Sequence, residues 1–236
     1  MRNDHSPPWS HLLCGQKGLQ AEKAHAAQLD AALGLRCEEI EAQLITEARK
    51  RTSSEQFQDW GRALHHRDHQ TWVGLPVQSL MTPYAELLRV LETLAPAPGD
   101  LLTDLGAGYG RLGYITALRF PAVSCLSYEY VPERVLEGNR IFKALVGARF
   151  SLVQADVSAS NFNLPRAHFH FLYDLGSAQA IQSVIQKIQT QAQEQKVTVI
   201  GRGKATRHFI ENEHPWLSQI TPPAHHDTFS IYRSGD

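Results

Sequence analysis

The sequence predicts an α/β fold, and three observations carry that expectation. Short apolar runs alternate with helical stretches from residue 101 onward, a glycine-rich segment follows the first run, and the last two runs lie too close together for a helix to join them. The runs are Leu101 to Leu105, Val123 to Tyr128, Arg149 to Val153, His168 to Tyr173 and Val197 to Ile200. Helices are expected between most of them, including Leu112 to Arg119, Glu133 to Val146 and Ser177 to Gln195. Repeated strand–helix units imply a parallel sheet with helices on both faces. At the end, Trp216 to Ile220 and Thr228 to Tyr232 read as two strands joined around Pro222-Pro223. Such a pair must be antiparallel, because a parallel connection needs about a dozen residues or more.

Upstream, Leu19, Ala26, Leu29, Leu33, Ile40, Leu44 and Ala48 recur at spacings of three, four or seven among charged and amide residues. This predicts an amphipathic helix, or two broken near Gly34, packed on the protein's own core. The repeat is too short and irregular for a coiled coil. A further helix is expected over residues 55–68, then an irregular lead-in punctuated by Gly74 and Pro76. At Thr82-Pro83 a helix should start, with Thr82 as its cap and Pro83 in the first position, where no amide is needed. Leu87, Leu88, Leu91 and Leu94 supply its buried face, and Pro96-Ala-Pro98-Gly99 stops it. The expected organisation is a helical N-terminal region, residues 1–80, and an α/β core, residues 81–236.

A length of 236 residues suits one such domain with an appendage. The formal charge of -1 gives no global attraction to polyanions, so charge does not favour a nucleic-acid partner. Cys14, Cys37 and Cys125 match neither a zinc ribbon nor a disulfide framework, which points to a reducing compartment. The first residues lack the apolar stretch of a signal peptide, and no run of about 18 apolar residues occurs. A soluble, cytoplasmic protein is therefore expected. His65 and His69 stand at i, i+4, but no third ligand is identifiable, and His225-His226 and the His168/His170 pair are equally uncommitted; no metal is expected.

The chemistry concentrates in Asp104-Leu-Gly-Ala-Gly-Tyr-Gly110. A strand ending in Asp104 and running into Gly106, Gly108 and Gly110 before a helix puts backbone amides at the carboxyl edge of the sheet, where open α/β sheets bind ligands. Glycines permit positive φ and close approach of a ligand to the main chain. Asp104 at the same edge suits an ammonium group and would repel a pyrophosphate. The competing reading is dinucleotide binding, since Gly108-Tyr-Gly110-Arg-Leu-Gly113 also satisfies G-x-G-x-x-G. Glu129, about 20 residues on, suits the hydroxyls of a ribose in either ligand. Asp156, ending the third run, can accept from an exocyclic adenine amine. Arg111, opening the loop helix, reads as a surface residue rather than a carboxylate clamp.

With these residues in view, the chain resembles the class I family of methyltransferases that use S-adenosylmethionine (SAM). The resemblance runs through Asp104-Leu-Gly-Ala-Gly-Tyr-Gly110, Glu129, Gln154-Ala-Asp156 and the fourth strand Phe169-His-Phe-Leu-Tyr-Asp174. It implies a Rossmann-like, seven-stranded sheet of order 3-2-1-4-5-7-6 with its last strand pair antiparallel. It also implies SAM as cofactor, held by Asp104, Gly106, Ala107, Gly108, Gly110, Glu129, Tyr130, Asp156, Val157 and Asp174. The lead-in Leu80-Met-Thr-Pro-Tyr-Ala-Glu86 looks like that of protein-directed members, and loosely like non-SET histone-lysine methyltransferases. One departure stands out: Asp174-Leu-Gly-Ser-Ala-Gln179 replaces the Pro-Pro-Tyr platform of members that methylate amide or exocyclic nitrogens.

Methyl transfer from a sulfonium is an in-line displacement, so a protein chiefly positions the acceptor and excludes water. Asp174 is the candidate to orient an amine or hydroxyl, or else caps a turn. Tyr84 and Tyr109 are candidates for the acceptor channel, or else wall residues. The expected acceptor is a protein side chain or a small molecule rather than nucleic acid. The alternatives are a non-catalytic SAM-binding module and, third, a nicotinamide-dependent oxidoreductase.

Overall fold

The computed structural model describes residues 18–51 and 75–235. The helix expected over residues 55–68 and the His65/His69 pair lie outside them.

The N-terminal apolar stripe forms two helices, α1 (Leu19–Leu33) and α2 (Cys37–Arg51). Gly34 separates them in a left-handed conformation at φ 78°, which closes α1 through its own amide. Their buried face, Ala26, Leu29, Leu35, Cys37 and Ile40, is continuous with the core that holds Leu91, Leu102 and Phe171. The stripe thus packs on the protein's own core, as its period implied.

Helix α3 (Tyr84–Leu94) starts one residue later than expected. Pro83, at ψ 145°, is its cap, and no side chain closes the end. Thr82 precedes a proline, which disfavours helical backbone, and its carbonyl is taken by Arg111.

The sheet has seven strands: β1 (Leu101–Leu105), β2 (Ser124–Glu129), β3 (Leu152–Gln154), β4 (Phe169–Tyr173), β5 (Thr198–Arg202), β6 (Ala224–His225) and β7 (Phe229–Arg233). Their order is β3-β2-β1-β4-β5-β7-β6. β1 to β5 pair in parallel, and β7 runs antiparallel to both neighbours. Alternate residues face opposite layers: Phe171, Ile200 and Ile231 enter one core, and Leu172, Val199 and Tyr232 the other. Helices α4 (Arg111–Arg119) and α5 (Pro132–Gly138) cover the first layer with α1 to α3. Helices α6 (Ala178–Ala192) and α7 (Lys204–Glu213) cover the second.

Two expectations need correction. Trp216 to Ile220 forms no strand: Pro215–Leu217 is a short 3₁₀ turn. The prolines at 222 and 223 have no amide to give a ladder, so pairing with β7 begins only at Ala224. The helix expected over Glu133 to Val146 is interrupted by a π-helical stretch, Asn139–Lys143.

Candidate functional site

β1 leads to β2 and β3 on one side, while its other neighbour, β4, leads to β5 on the opposite side. The carboxyl ends of β1 and β4 therefore flank the switch point where open sheets hold ligands. A cavity of about 460 Å³ opens there. Gly106, Gly108 and Tyr109 line it from the glycine loop, Glu129 and Tyr130 from the end of β2, Asp156 and Val157 from beyond β3, and Asp174 from the end of β4. Beside it lies a cavity of about 30 Å³, lined by Asp104, Ala107 and Arg111 and sharing Gly106, Gly108 and Tyr109 with the larger one.

The glycine loop is used in an unexpected way. Its amides are bonded within the protein: Gly106 and Ala107 donate to the Tyr128 carbonyl, Gly110 to the Ala107 carbonyl, and Gly108 to Glu129 Oε2 at 2.8 Å. Gly108 sits at φ 57°, and no described residue lies within 4 Å of where a Cβ would project, so the position favours glycine for its backbone and leaves space for a ligand. Gly138 of α5 matters for a different reason. A Cβ there would stand 2.2 Å from the Tyr109 carbonyl oxygen, so only glycine lets α5 abut the loop.

Asp104 is 3% exposed, and among the described residues no donor meets its carboxylate. Burial, and then repulsion from Glu129, push its pKa up to about 8. A buried acid with no counter-charge prefers its neutral form. A cation placed beside it would restore the carboxylate.

Glu129 accepts from Gly108 N, from Val131 N at 2.9 Å and from Arg134 Nη1 at 3.4 Å. Asp156 Oδ1 accepts from both the amide and the hydroxyl of Ser158, which folds the segment after β3 into a tight turn against the cavity. Lys187 of α6 holds that turn from behind, bonding the carbonyls of Val157 and Ala159.

The proposed catalytic trio is not gathered at one place. Asp174 lines the cavity at φ 32°, but its Oδ1 accepts from Thr206 N and its own amide donates to Thr206 Oγ1, both at 2.9 Å. It therefore caps α7 rather than the turn that follows it. Tyr109 lines the cavity, but its hydroxyl is engaged by Glu41 Oε1 at 2.9 Å. Tyr84 is 1% exposed, is absent from the cavity lining, and donates to Asp30 Oδ1 at 2.7 Å. An amphipathic tyrosine near a helix start can face core or cleft, and here the Asp30 carboxylate selects the core.

Arg111 is the plainest correction. Instead of lying on the surface it is 3% exposed, lines the smaller cavity and pairs with Asp30 of α1. Its Nη1 donates to the Thr82 carbonyl and its Nη2 to Gln78, while Nε meets no acceptor among the described residues. Glu41 and Arg134, which also line the large cavity, had no sequence motif to mark them.

Among the described residues no group of three or more His, Cys, Asp or Glu is placed to hold a metal, and no helix is long and apolar enough to cross a membrane. Cys37 and Cys125 are buried free thiols.

This fold is that of the class I SAM-dependent methyltransferases. It superimposes on precorrin-6Y C5,15-methyltransferase from Geobacter metallireducens GS-15 with TM-score 0.51 at 15% identity, covering 66% of this chain and 90% of that one. Two further similar structures are an RNA methyltransferase from Salinibacter ruber in complex with S-adenosyl-L-homocysteine and TrmN from Thermus thermophilus. The first has TM-score 0.44 at 24% identity over 64% of this chain and 90% of that chain. The second has TM-score 0.48 at 10% identity over 64% of this chain, and the match spans only 48% of TrmN. No protein-family model matches the sequence, and no curated protein matches it.

Proposed function

We propose that the protein is a SAM-dependent methyltransferase that acts on a protein side chain, such as lysine, or on a small molecule. The observation that carries this reading is the state of the glycine loop: the amides of Gly106, Ala107, Gly108 and Gly110 are spent within the protein, and an acid takes the amide a phosphate would need. Dinucleotide sites work the opposite way, aiming loop amides at the pyrophosphate. Charge supports the same choice. Among the described residues, the carboxylates and cations lining the large cavity are Glu41, Glu129, Asp156, Asp174 and Arg134, a setting that favours a cationic ligand over a polyanion.

In this reading Asp104 meets the ammonium of the cofactor's amino-acid end. Glu129 accepts from the ribose, with Tyr130 beside it, and Asp156 with Val157 holds the adenine. The cofactor supplies the methyl group on a sulfonium and its own leaving group. The protein's part is positioning: Tyr173, Leu175 and the ring of Tyr109 wall the acceptor side, and Asp174, tied to α7, presents a fixed carboxylate that orients an arriving amine or hydroxyl.

Calorimetry with S-adenosylhomocysteine and NAD tests the cofactor. Homocysteine-adduct binding that is lost in Glu129→Gln is the expected result, and uptake of NAD without it defeats the proposal. Labelled methyl transfer from SAM in lysate, resolved into protein and small-molecule fractions, then reads the acceptor class; label found only in nucleic acid would contradict the acceptor named here.

A further inference from the structure

Glu41 belongs to α2, outside the sheet and its glycine loop, yet it lines the large cavity and is 4% exposed. Its two carboxylate oxygens accept along one edge of the Arg134 guanidinium, from Nε at 2.8 Å and Nη2 at 3.0 Å. The Tyr109 hydroxyl donates to the same carboxylate, and burial and Glu41 together raise the phenol's pKa, so it stays a donor. Arg134 reaches Glu129 only at 3.4 Å through Nη1. Because Glu129 also accepts from Gly108 N, the contacts close a circuit: glycine loop, Glu129, Arg134, Glu41, Tyr109 and back to the loop.

One guanidinium thus stands between two buried carboxylates and pairs well with one. The Nε–Nη2 edge is matched in two points to Glu41, which leaves Glu129 a single long contact from Nη1. A carboxylate has about four acceptor positions, and Glu129 spends two on the amides of Gly108 and Val131. Arg134 Nη1 touches a third at 3.4 Å, so two vicinal hydroxyls find room by displacing that long contact, which they can do only while Glu41 holds Arg134.

We infer that Glu41 is a positioning residue for the ribose end of the cofactor site: it draws Arg134 away from Glu129 and so keeps Glu129 able to accept from hydroxyls. This rests on the SAM reading above. Removing the charge of Glu41 leaves Glu129 as the carboxylate that Arg134 pairs with among the described residues. A two-point pair between them then masks the acceptor. The N-terminal helices are on this account a working part of the cofactor site as well as a cover over it.

The test is calorimetry on the full chain with S-adenosylhomocysteine, adenosine and 2′-deoxyadenosine. Wild type should prefer adenosine to its deoxy analogue by about tenfold, the weight of a hydrogen bond to a charged group. Glu41→Gln should weaken the homocysteine adduct about tenfold and bring that preference close to one. Arg134→Gln should keep the preference, and the double variant should regain it. The inference is overturned if Glu41→Gln discriminates as wild type does, or if Arg134→Gln or the double variant loses discrimination. Should Glu41→Gln not fold, Glu41→Asp, which draws the carboxylate back from Arg134 by one methylene, takes its place and should lower the preference in the same direction. If wild type binds neither the adduct nor adenosine, the cofactor reading itself fails and this inference falls with it.

Discussion

The two faces of the sheet are covered by different chemistry. On the face of α1 to α5, arginines and acids cross between elements in buried pairs: Arg111 with Asp30, Arg134 with Glu41, and Arg202 with Glu86. On the other face α6 inserts Ile181, Val184, Ile185 and Ile188, all at most 2% exposed, among Leu172, Val199 and Tyr232. Apolar contact is non-directional and stabilises in proportion to area. Buried ion pairs carry a heavy desolvation cost and return orientation, since a guanidinium fork bonds only along fixed directions. Arg111 and Arg134 both line cavities at the ligand end of the sheet. The α6 face is thus held chiefly by apolar contact, while the α1–α5 face adds to an apolar core of its own the buried pairs that fix groups around the site.

The largest expected effect tests that division directly. Asp30→Ala leaves the Arg111 guanidinium buried without its partner, at a cost of about 3–5 kcal/mol. Burial works against the charge on Arg111, and the Asp30 carboxylate sustains it. Ile185→Ala on the opposite face costs about 3 kcal/mol through lost contact and a cavity. Urea unfolding should report comparable losses for the two variants, whereas binding of S-adenosylhomocysteine, corrected for the folded fraction, should fall only for Asp30→Ala. Equal effects on binding would break the comparison.

Asp104 gives the next effect, and it concerns pH. Burial pushes its pKa up to about 8 from an ordinary 3.8, so between these values the native state binds the proton that the unfolded chain has lost. Stability therefore falls as pH rises through that window, by at most about 1.4 kcal/mol per unit, and levels above it. Asp104→Asn should remove this slope in thermal or urea denaturation followed from pH 5 to 8. Ligand affinity should run the other way: an ammonium needs the ionised carboxylate, so binding tightens as pH rises towards 8 and expels a proton, visible as a buffer-dependent heat. A slope that survives in Asp104→Asn would show that another group carries it.

What the sequence disclosed divides along the same line. Periodicity marks elements whose burial is apolar, which is why α1, α2, the parallel strands and the reversed final strand could be read from their spacing. The acids at strand ends were legible because a sheet's topology places strand termini together. Arg111, Glu41 and Arg134 were not, because a charged residue on a helix reads as solvent-facing until its partner is known. Asp30 lies 81 residues from Arg111, and Glu41 lies 93 from Arg134. Tyr84 was misplaced for the same reason, since its hydroxyl finds that same Asp30. The strand expected at Trp216 failed on hydrogen bonding rather than hydrophobicity: the prolines beyond it delay pairing until Ala224.

The smallest effect sharpens the comparison where the two faces meet the cavity. Ser177 begins the apolar face's helix α6, and its hydroxyl accepts from the Ala180 amide at 3.2 Å. It also lines the large cavity, so the residue could serve either stability or ligand contact. With its oxygen engaged in the cap, stability is the expected role: Ser177→Ala should cost about 1 kcal/mol and leave affinity for S-adenosylhomocysteine unchanged. Ser177→Asp sets the two roles against each other. An aspartate caps as well as serine and complements the helix dipole, so stability should be kept within a few tenths of a kcal/mol, while a further anion in an already acidic cavity strengthens its pull on a cation. Melting temperature and Kd measured on both variants separate the roles: a loss of binding in Ser177→Ala at unchanged stability would move this residue from the supporting face to the ligand's own contacts.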